Sequence, residues 1–339
     1  MRLSRNLISL ALAGLATSHA LATPVALPAY GADPKQTSVS GLSSGAFMAV
    51  QMQVAYSGSI MGAGVVAGGP YYCAANNLFF TSICMGQTFL APTPYLMVSA
   101  AKDFASAKLI DPLKNLSQRR IYVFSGTDDS IVRQPAVDAT VEFFKEVGVP
   151  PAQLKYVNNV PAGHAVITPS YGNNCAANAD PYISHCNIDN KGYDQAQAIL
   201  GHIYGPLQPR VAKPAGQIVS FDQRPYASVT TSMADTGYLY VPPSCAAKGA
   251  NCKVHVAIHG CKQSAESVGN QFYTDTGYNN WADSNKLLVL YPQVNKSMIP
   301  SNPEGCWDWW GYTGPNYAYK SGAQMKAIKD MVTRLTQPQ

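Results

Sequence analysis

The stretch Thr37-Ser38-Val39-Ser40-Gly41-Leu42-Ser43-Ser44-Gly45-Ala46-Phe47 decides the fold. Its centre reads Gly-x-Ser-x-Gly around Ser43. Residues 36–42 are rich in Ser, Thr and Val, which suits a strand. Residues 46–56 contain neither Gly nor Pro and carry Phe47, Val50, Met52 and Val54, which suits a buried helix. Strand, sharp turn and helix form the context in which this motif lifts a serine hydroxyl clear of a sheet. The motif's glycines are small because strand and helix pass too close there for a side chain. Ser43 is therefore the candidate nucleophile, and a purely structural Gly/Ser turn is the alternative.

Before this stretch the chain opens Met1-Arg2-Leu3-Ser4-Arg5, runs apolar over residues 7–16 and reaches Ala20-Leu21-Ala22. A charged start, a short apolar run and an Ala-x-Ala end describe a secretory signal peptide over residues 1–22. A single catalytic domain over residues 23–339 is expected after its removal, secreted to the extracellular space or the periplasm. The apolar run is too short to span a membrane, and no later stretch is long enough. Loss of Arg2 and Arg5, with no acidic residue, takes the formal charge from +5 to +3. Charged residues are only 13% of the chain and form no basic run that could track phosphates, so nucleic acid is not an expected partner.

All eight cysteines lie beyond residue 22, and an even count behind a signal peptide argues for disulfides. Proximity pairs Cys73 with Cys84, Cys175 with Cys186, and Cys245 with Cys252, leaving Cys261 for Cys306. Sequence alone leaves the other connectivities open. Zinc is the rival use of cysteine, but no Cys-x-x-Cys is present, and no metal is expected.

Along the chain, strands are expected over residues 60–70, 119–126, 154–160, 236–241, 254–258 and 287–291. Helices are expected over about 97–109, 135–147, 193–203, 268–284 (broken near Gly277) and 323–335. Residues 205–230 read as an irregular connection. Strands alternating with helices indicate an α/β fold with a mostly parallel central sheet, shared by both halves of the chain.

A serine hydroxyl needs a base, and the base needs an acid to fix its tautomer. Asp129 follows the strand ending at Gly126, and His164 follows the strand ending near Pro161. Both turns fall at the sheet edge where the elbow places Ser43, in the order serine, acid, histidine. Asp128 is the nearest competitor of Asp129, though it lies closer to the strand end and suits capping. His259-Gly260-Cys261 ends another apolar strand, the place where an α/β-hydrolase carries its oxyanion hole. The donors there would be the Ser44 and Cys261 amides. This turn ordinarily precedes the serine; here it follows by more than two hundred residues. A circular permutation, with its join at about 205–230, resolves the conflict. Cys306-Trp307-Asp308-Trp309-Trp310 either lines a groove or forms a satellite core. Trp309, Trp307 and His259 are the substrate-binding candidates, Trp309 first.

Taken together, these residues resemble the extracellular poly(3-hydroxybutyrate) (PHB) depolymerases of the single-domain, circularly permuted α/β-hydrolase kind. The resemblance rests on Val39 to Gly45, Gly126 to Val132, Gly163-His164, His259 to Ser264, Gly305 to Trp309, Gly237 to Pro242 and Thr276 to Asp283. It runs from about Leu27 to the C-terminus and includes the cysteine positions. It implies Ser43, Asp129 and His164 as triad, the Ser44 and Cys261 amides as oxyanion hole, Trp309 against substrate, and the disulfide pairing above. The expected activity is cofactor-free hydrolysis of a short-chain polyester or its oligomers by a monomer. Another secreted esterase (feruloyl, acetyl-xylan or aromatic polyester) would share the fold and triad. A non-catalytic surface binder using the Trp cluster is the alternative of a different class.

Overall fold

The Ser/Thr/Val run forms β1 (Thr37–Leu42), buried along its whole length. It passes directly into α1 (Ser44–Ala55), all twelve residues of which are also buried. α1 is mostly apolar, its two glutamines donate to the Asp308 and Ile60 carbonyls, and it is the central helix against the sheet. The computed structural model describes residues 24–188 and 190–339, so the expected leader lies outside the described residues.

Seven further strands join β1: β2 (Ile60–Val66), β3 (Arg120–Gly126), β4 (Leu154–Val160), β5 (Gln217–Asp222), β6 (Thr236–Val241), β7 (Lys253–Ile258) and β8 (Leu287–Tyr291). Their order across one sheet is β5-β6-β8-β7-β1-β2-β3-β4. All neighbours from β8 to β4 pair in parallel, while β6 pairs antiparallel with both β8 and β5. The parallel strands are near-continuous apolar runs, as expected when helices cover both faces. The main covering helices are α1, α2 (Pro94–Ser106), α3 (Gln134–Glu146), α4 (Gln195–Tyr204), α5 (Tyr278–Asn285) and α6 (Ala323–Thr336).

The topology explains the displaced His-Gly turn. β7 lies beside β1 in space although it follows it by more than two hundred residues, with Val39 paired to Val256 and Gly41 to Ile258. Placing residues 217–291 ahead of residues 37–160 makes the spatial order nearly sequential. The ends of the domain are also adjacent. The Tyr30 and Ala32 amides donate to the Leu335 carbonyl, the Gly31 amide donates to the Gln337 carbonyl, and Arg334 Nε donates to the Leu27 carbonyl. Such neighbouring termini are what a permuted chain requires.

Two expectations are corrected. Residues 205–230 are not wholly irregular, because they contain the edge strand β5. Only Phe221 of β5 is buried; its ladder to β6 supplies the order that its Gln- and Ser-containing sequence does not advertise. The helix expected over 268–284 starts later, at Gln271, and is two short helices, Gln271–Asp275 and α5, divided at the expected break near Gly277.

Candidate active site

Ser43 sits between β1 and α1 with φ 57° and ψ −125°, a backbone state that a non-glycine residue adopts only when its surroundings impose it. The imposition is visible. The Ser43 amide donates to the Val66 carbonyl at 3.0 Å, and its carbonyl accepts from Ala46 and Phe47. A Cβ on Gly45 would lie 2.3 Å from the Ile258 carbonyl oxygen and 2.4 Å from that of His259. Only glycine lets α1 start this close to the end of β7. The elbow and the His259 turn are thereby pressed together.

The turns that carry Asp129 and His164 are joined in a similar way. The pairing of β3 with β4 carries a register shift just before both turns, between Phe124 and Gly126. Such irregularities re-aim the chain beside functional sites. The Thr127 and Asp128 amides donate to the Val160 and Ala162 carbonyls, and a Cβ on Gly126 would lie 2.1 Å from the Ala162 oxygen. The side chain that reaches the base is Asp129, not Asp128. His164 Nδ1 donates to Asp129 Oδ2 at 2.8 Å, and both side chains are nearly buried. Asp129 Oδ1 accepts the Ile131 and Val132 amides, each at 2.9 Å. With Nδ1 held by the carboxylate, Nε2 is the nitrogen left to take a proton.

A crevice of about 190 Å³ opens at the elbow, lined by Ser43, Ser44, Phe47, Leu78, Met85, Val132, Cys261 and Trp309 among others. Val132 connects the two groups, since it lines the crevice and its amide holds Asp129. Ser43 and His164 make no direct side-chain hydrogen bond here; such bonds often tighten only with substrate. A larger concavity of about 560 Å³ lies beside α4 and does not contain the serine. The Ser44 and Cys261 amides, both at the crevice, donate to no protein acceptor among the described residues. Trp309 is stacked on Phe47 at 4.1 Å and meets Trp310 edge-on at 5.3 Å, giving the crevice an aromatic wall.

Two expected substrate contacts are corrected. Trp307 and His259 are both 0% exposed and line no part of the crevice. Trp307 fills the core beside His259, with ring centroids 5.6 Å apart. His259 Nδ1 donates to the Gly260 carbonyl at 2.7 Å, and its Nε2 accepts the Val294 amide. Burial pushes its pKa down to about 4, against the raising effect of the Gly260 bond, so the ring is neutral. His255 stands in His-x-x-x-His spacing with His259, but its two nitrogens bond Ser38 and Ser40. No group of three or more His, Cys, Asp or Glu side chains is gathered for a metal among the described residues.

Sequence reasoning missed Asp308. Its buried carboxylate accepts the amides of Trp310, Gly311, Tyr312 and Thr313 and the Thr313 hydroxyl, and so folds the loop that carries Trp309. Burial raises its pKa while those donors oppose the rise. It also missed Gln263, which is 0% exposed and accepts the Gly260 amide at 2.8 Å. The only available signal was a polar residue beside each turn. The four disulfides are Cys73–Cys84, Cys175–Cys186, Cys245–Cys252 and Cys261–Cys306. The last ties the His259–Cys261 turn to the Trp loop.

A mostly parallel sheet, with a serine elbow and an Asp–His pair at one edge, is the arrangement of the α/β-hydrolase class. Residues 236–336 match the family described as Esterase PHB depolymerase. The chain is 39% identical to a polyhydroxybutyrate depolymerase of Talaromyces funiculosus over 95% of both proteins. It is 45% identical to a poly(3-hydroxybutyrate) depolymerase of Delftia acidovorans, covering 97% of this chain and 64% of that relative's length. The crystal structure of a PHB depolymerase from Penicillium funiculosum superposes with a TM-score of 0.83 at 38% identity, over 92% of this chain and 99% of that one. A PHB depolymerase with one serine replaced by alanine, complexed with an R3HB trimer, matches equally well. The chain thus belongs to the PHB depolymerase family.

Proposed function

We propose that this protein is a secreted serine esterase that hydrolyses poly(3-hydroxybutyrate), a related short-chain polyhydroxyalkanoate, or their oligomers, and that residues 23–339 act as one catalytic domain. The observation that carries this reading is the small apolar crevice holding Ser43 and both free amides, at the same sheet edge as the Asp129–His164 pair. Family membership supports the ester chemistry. The eight paired cysteines support an oxidising destination, and no helix among the described residues is long and apolar enough to cross a membrane.

In this reaction His164 Nε2 takes the Ser43 proton as Oγ attacks the ester carbonyl. Asp129 holds the imidazole by its Nδ1–H and stabilises the imidazolium that forms. The Ser44 and Cys261 amides take the charge that develops on the carbonyl oxygen, in a site from which apolar walls exclude water. Collapse of the tetrahedral species breaks the ester C–O bond. The leaving hydroxyl takes the proton from His164, and the acyl group stays on Ser43. Water, deprotonated by His164, then releases the acid. A backbone ester with a methyl side chain suits a crevice of about 190 Å³ walled by Phe47, Met85, Val132 and Trp309. Release of 3-hydroxybutyrate or short oligomers from amorphous poly(3-hydroxybutyrate) is the test. Turnover of feruloyl or acetyl-xylan esters without attack on the polyester would transfer the protein to the other esterase class.

A further inference from the structure

The acid, base and oxyanion turns follow three different strands, yet one short segment touches all of them. It is the loop closed by the Cys175–Cys186 disulfide. Asn178, within it, makes four hydrogen bonds. Its Oδ1 accepts the Ser130 amide at 3.0 Å, next to the acid, and the amide of His164 itself at 2.9 Å. Its Nδ2 donates to the Asp128 carbonyl at 3.0 Å and to the Ala176 carbonyl at 3.1 Å. Two N–H groups face one end of the side-chain amide and two carbonyls face the other, so only one orientation satisfies all four partners. No other side chain of this size combines two accepted and two donated bonds. The same loop meets the base again, because the Gly163 amide donates to the Cys175 carbonyl and the Tyr182 ring stands edge-on to His164 at 5.9 Å.

The loop reaches the oxyanion turn through Gln263. That buried amide accepts the Gly260 N–H and donates to the Pro181 and Tyr182 carbonyls at 2.9 and 3.0 Å. Acid, base and oxyanion donors are thus tied to one disulfide-closed segment, by two side-chain amides.

We propose that Asn178 is a positioning residue for catalysis, and that loop 175–186 holds the Asp129, His164 and Cys261 turns in register through Asn178 and Gln263. The inference rests on the serine esterase reading above. Asn178 touches backbone only and acts through Asp129 and His164. Displacements near 1 Å at a reacting group cost on the order of a hundredfold in rate, so loosening these turns should appear in turnover.

The test combines active-site titration with diethyl p-nitrophenyl phosphate and steady-state hydrolysis of p-nitrophenyl butyrate. Turnover per titrated serine is the readout, because a residue that only stabilises the fold changes the titratable fraction and the Tm but not that ratio. Asn178→Ala is expected to lower turnover per titrated serine by about tenfold or more, with KM within about twofold. Asn178→Asp keeps both accepted bonds but turns an acceptor oxygen toward the Asp128 and Ala176 carbonyls, so a loss of about fivefold or more is expected. Asn173→Ala is the control, since Asn173 Nδ2 braces the same loop at the Ala179 and Asp180 carbonyls without touching either catalytic turn. It is expected to lower Tm and leave turnover per serine near that of wild type. A ratio for Asn178→Ala within about twofold of wild type, or an equal loss in Asn173→Ala, would overturn the proposal. If Asn178→Ala does not fold, Asn178→Asp decides by the same twofold criterion. Failure of the wild-type enzyme to titrate would instead count against the esterase reading itself.

Discussion

His259 Nδ1 donates to the carbonyl oxygen of Gly260 at 2.7 Å, and this bond aims the next amide. A trans peptide is planar, with its C=O and N–H pointing opposite ways. Holding the Gly260 oxygen inward therefore turns the Cys261 N–H outward, to the crevice. The histidine of the His-Gly pair lies beneath the turn, fully buried, and supports the proposed oxyanion donor from there. His259→Phe keeps the ring and loses both bonds. It is expected to lower kcat on p-nitrophenyl butyrate by roughly ten- to a hundredfold, a fraction of the loss for removing a donor outright. Unchanged kcat would show that the turn holds without it.

The buried histidines make stability sensitive to acid. Burial pushes His255 down to about 3 and His259 to about 4. In the unfolded chain both titrate near 6.5. Below that pH the unfolded state binds protons that the folded state refuses, so stability is complete above pH ~6.5 and falls as pH drops toward the folded values. Urea midpoints measured from pH 7 to 5 should fall, with partly buried His202, also lowered by desolvation, adding to the slope, and His255→Gln should flatten it. A midpoint independent of pH over that range would contradict the assignment.

The disulfides should separate stability from activity. Cys261–Cys306 closes 45 residues and Cys245–Cys252 closes 7. Chain entropy alone gives about 4 and about 2 kcal/mol for the two loops. Replacing Cys245 and Cys252 by Ala should lower Tm with little change in kcat/KM, because neither lines the crevice. Replacing Cys261 and Cys306 should lower both, since the bond holds the proposed oxyanion turn to the Trp loop. Thermal melts beside p-nitrophenyl butyrate kinetics distinguish the two outcomes.

Trp309 is the aromatic wall beside Ser43, 5% exposed and stacked on Phe47. Trp309→Ala should weaken (R)-3-hydroxybutyrate oligomer binding by about 1–2 kcal/mol, seen as a raised KM. Trp307→Ala should instead act through the core, with a large loss of Tm.

The parts of this molecule legible in its sequence are those written in local chemistry. The Ser43 elbow needs adjacent small residues and a strand-to-helix switch within eleven positions, and all are present. The displaced His-Gly turn, taken with the early serine, announced the permuted strand order. Side-chain burial was not legible. Trp307 and Trp309 differ by two positions, yet one is core and the other crevice wall, because the Asp308 carboxylate turns the chain between them. Asn178 and Gln263 were invisible for a related reason: the bonds that tie separate turns together, Asn178 to Asp128 and Ser130 and Gln263 to Pro181 and Tyr182, span tens of residues, and a lone amide carries no periodic signal. The strand β5 was missed because an edge strand draws its order from its neighbour.

The most direct measurement is hydrolysis of amorphous poly(3-hydroxybutyrate) by Ser43→Ala beside wild type, with soluble products quantified. Wild type should release 3-hydroxybutyrate or its oligomers, and the folded variant should be slower by at least ~10³-fold. Hydrolysis retained by a folded Ser43→Ala protein would contradict the account.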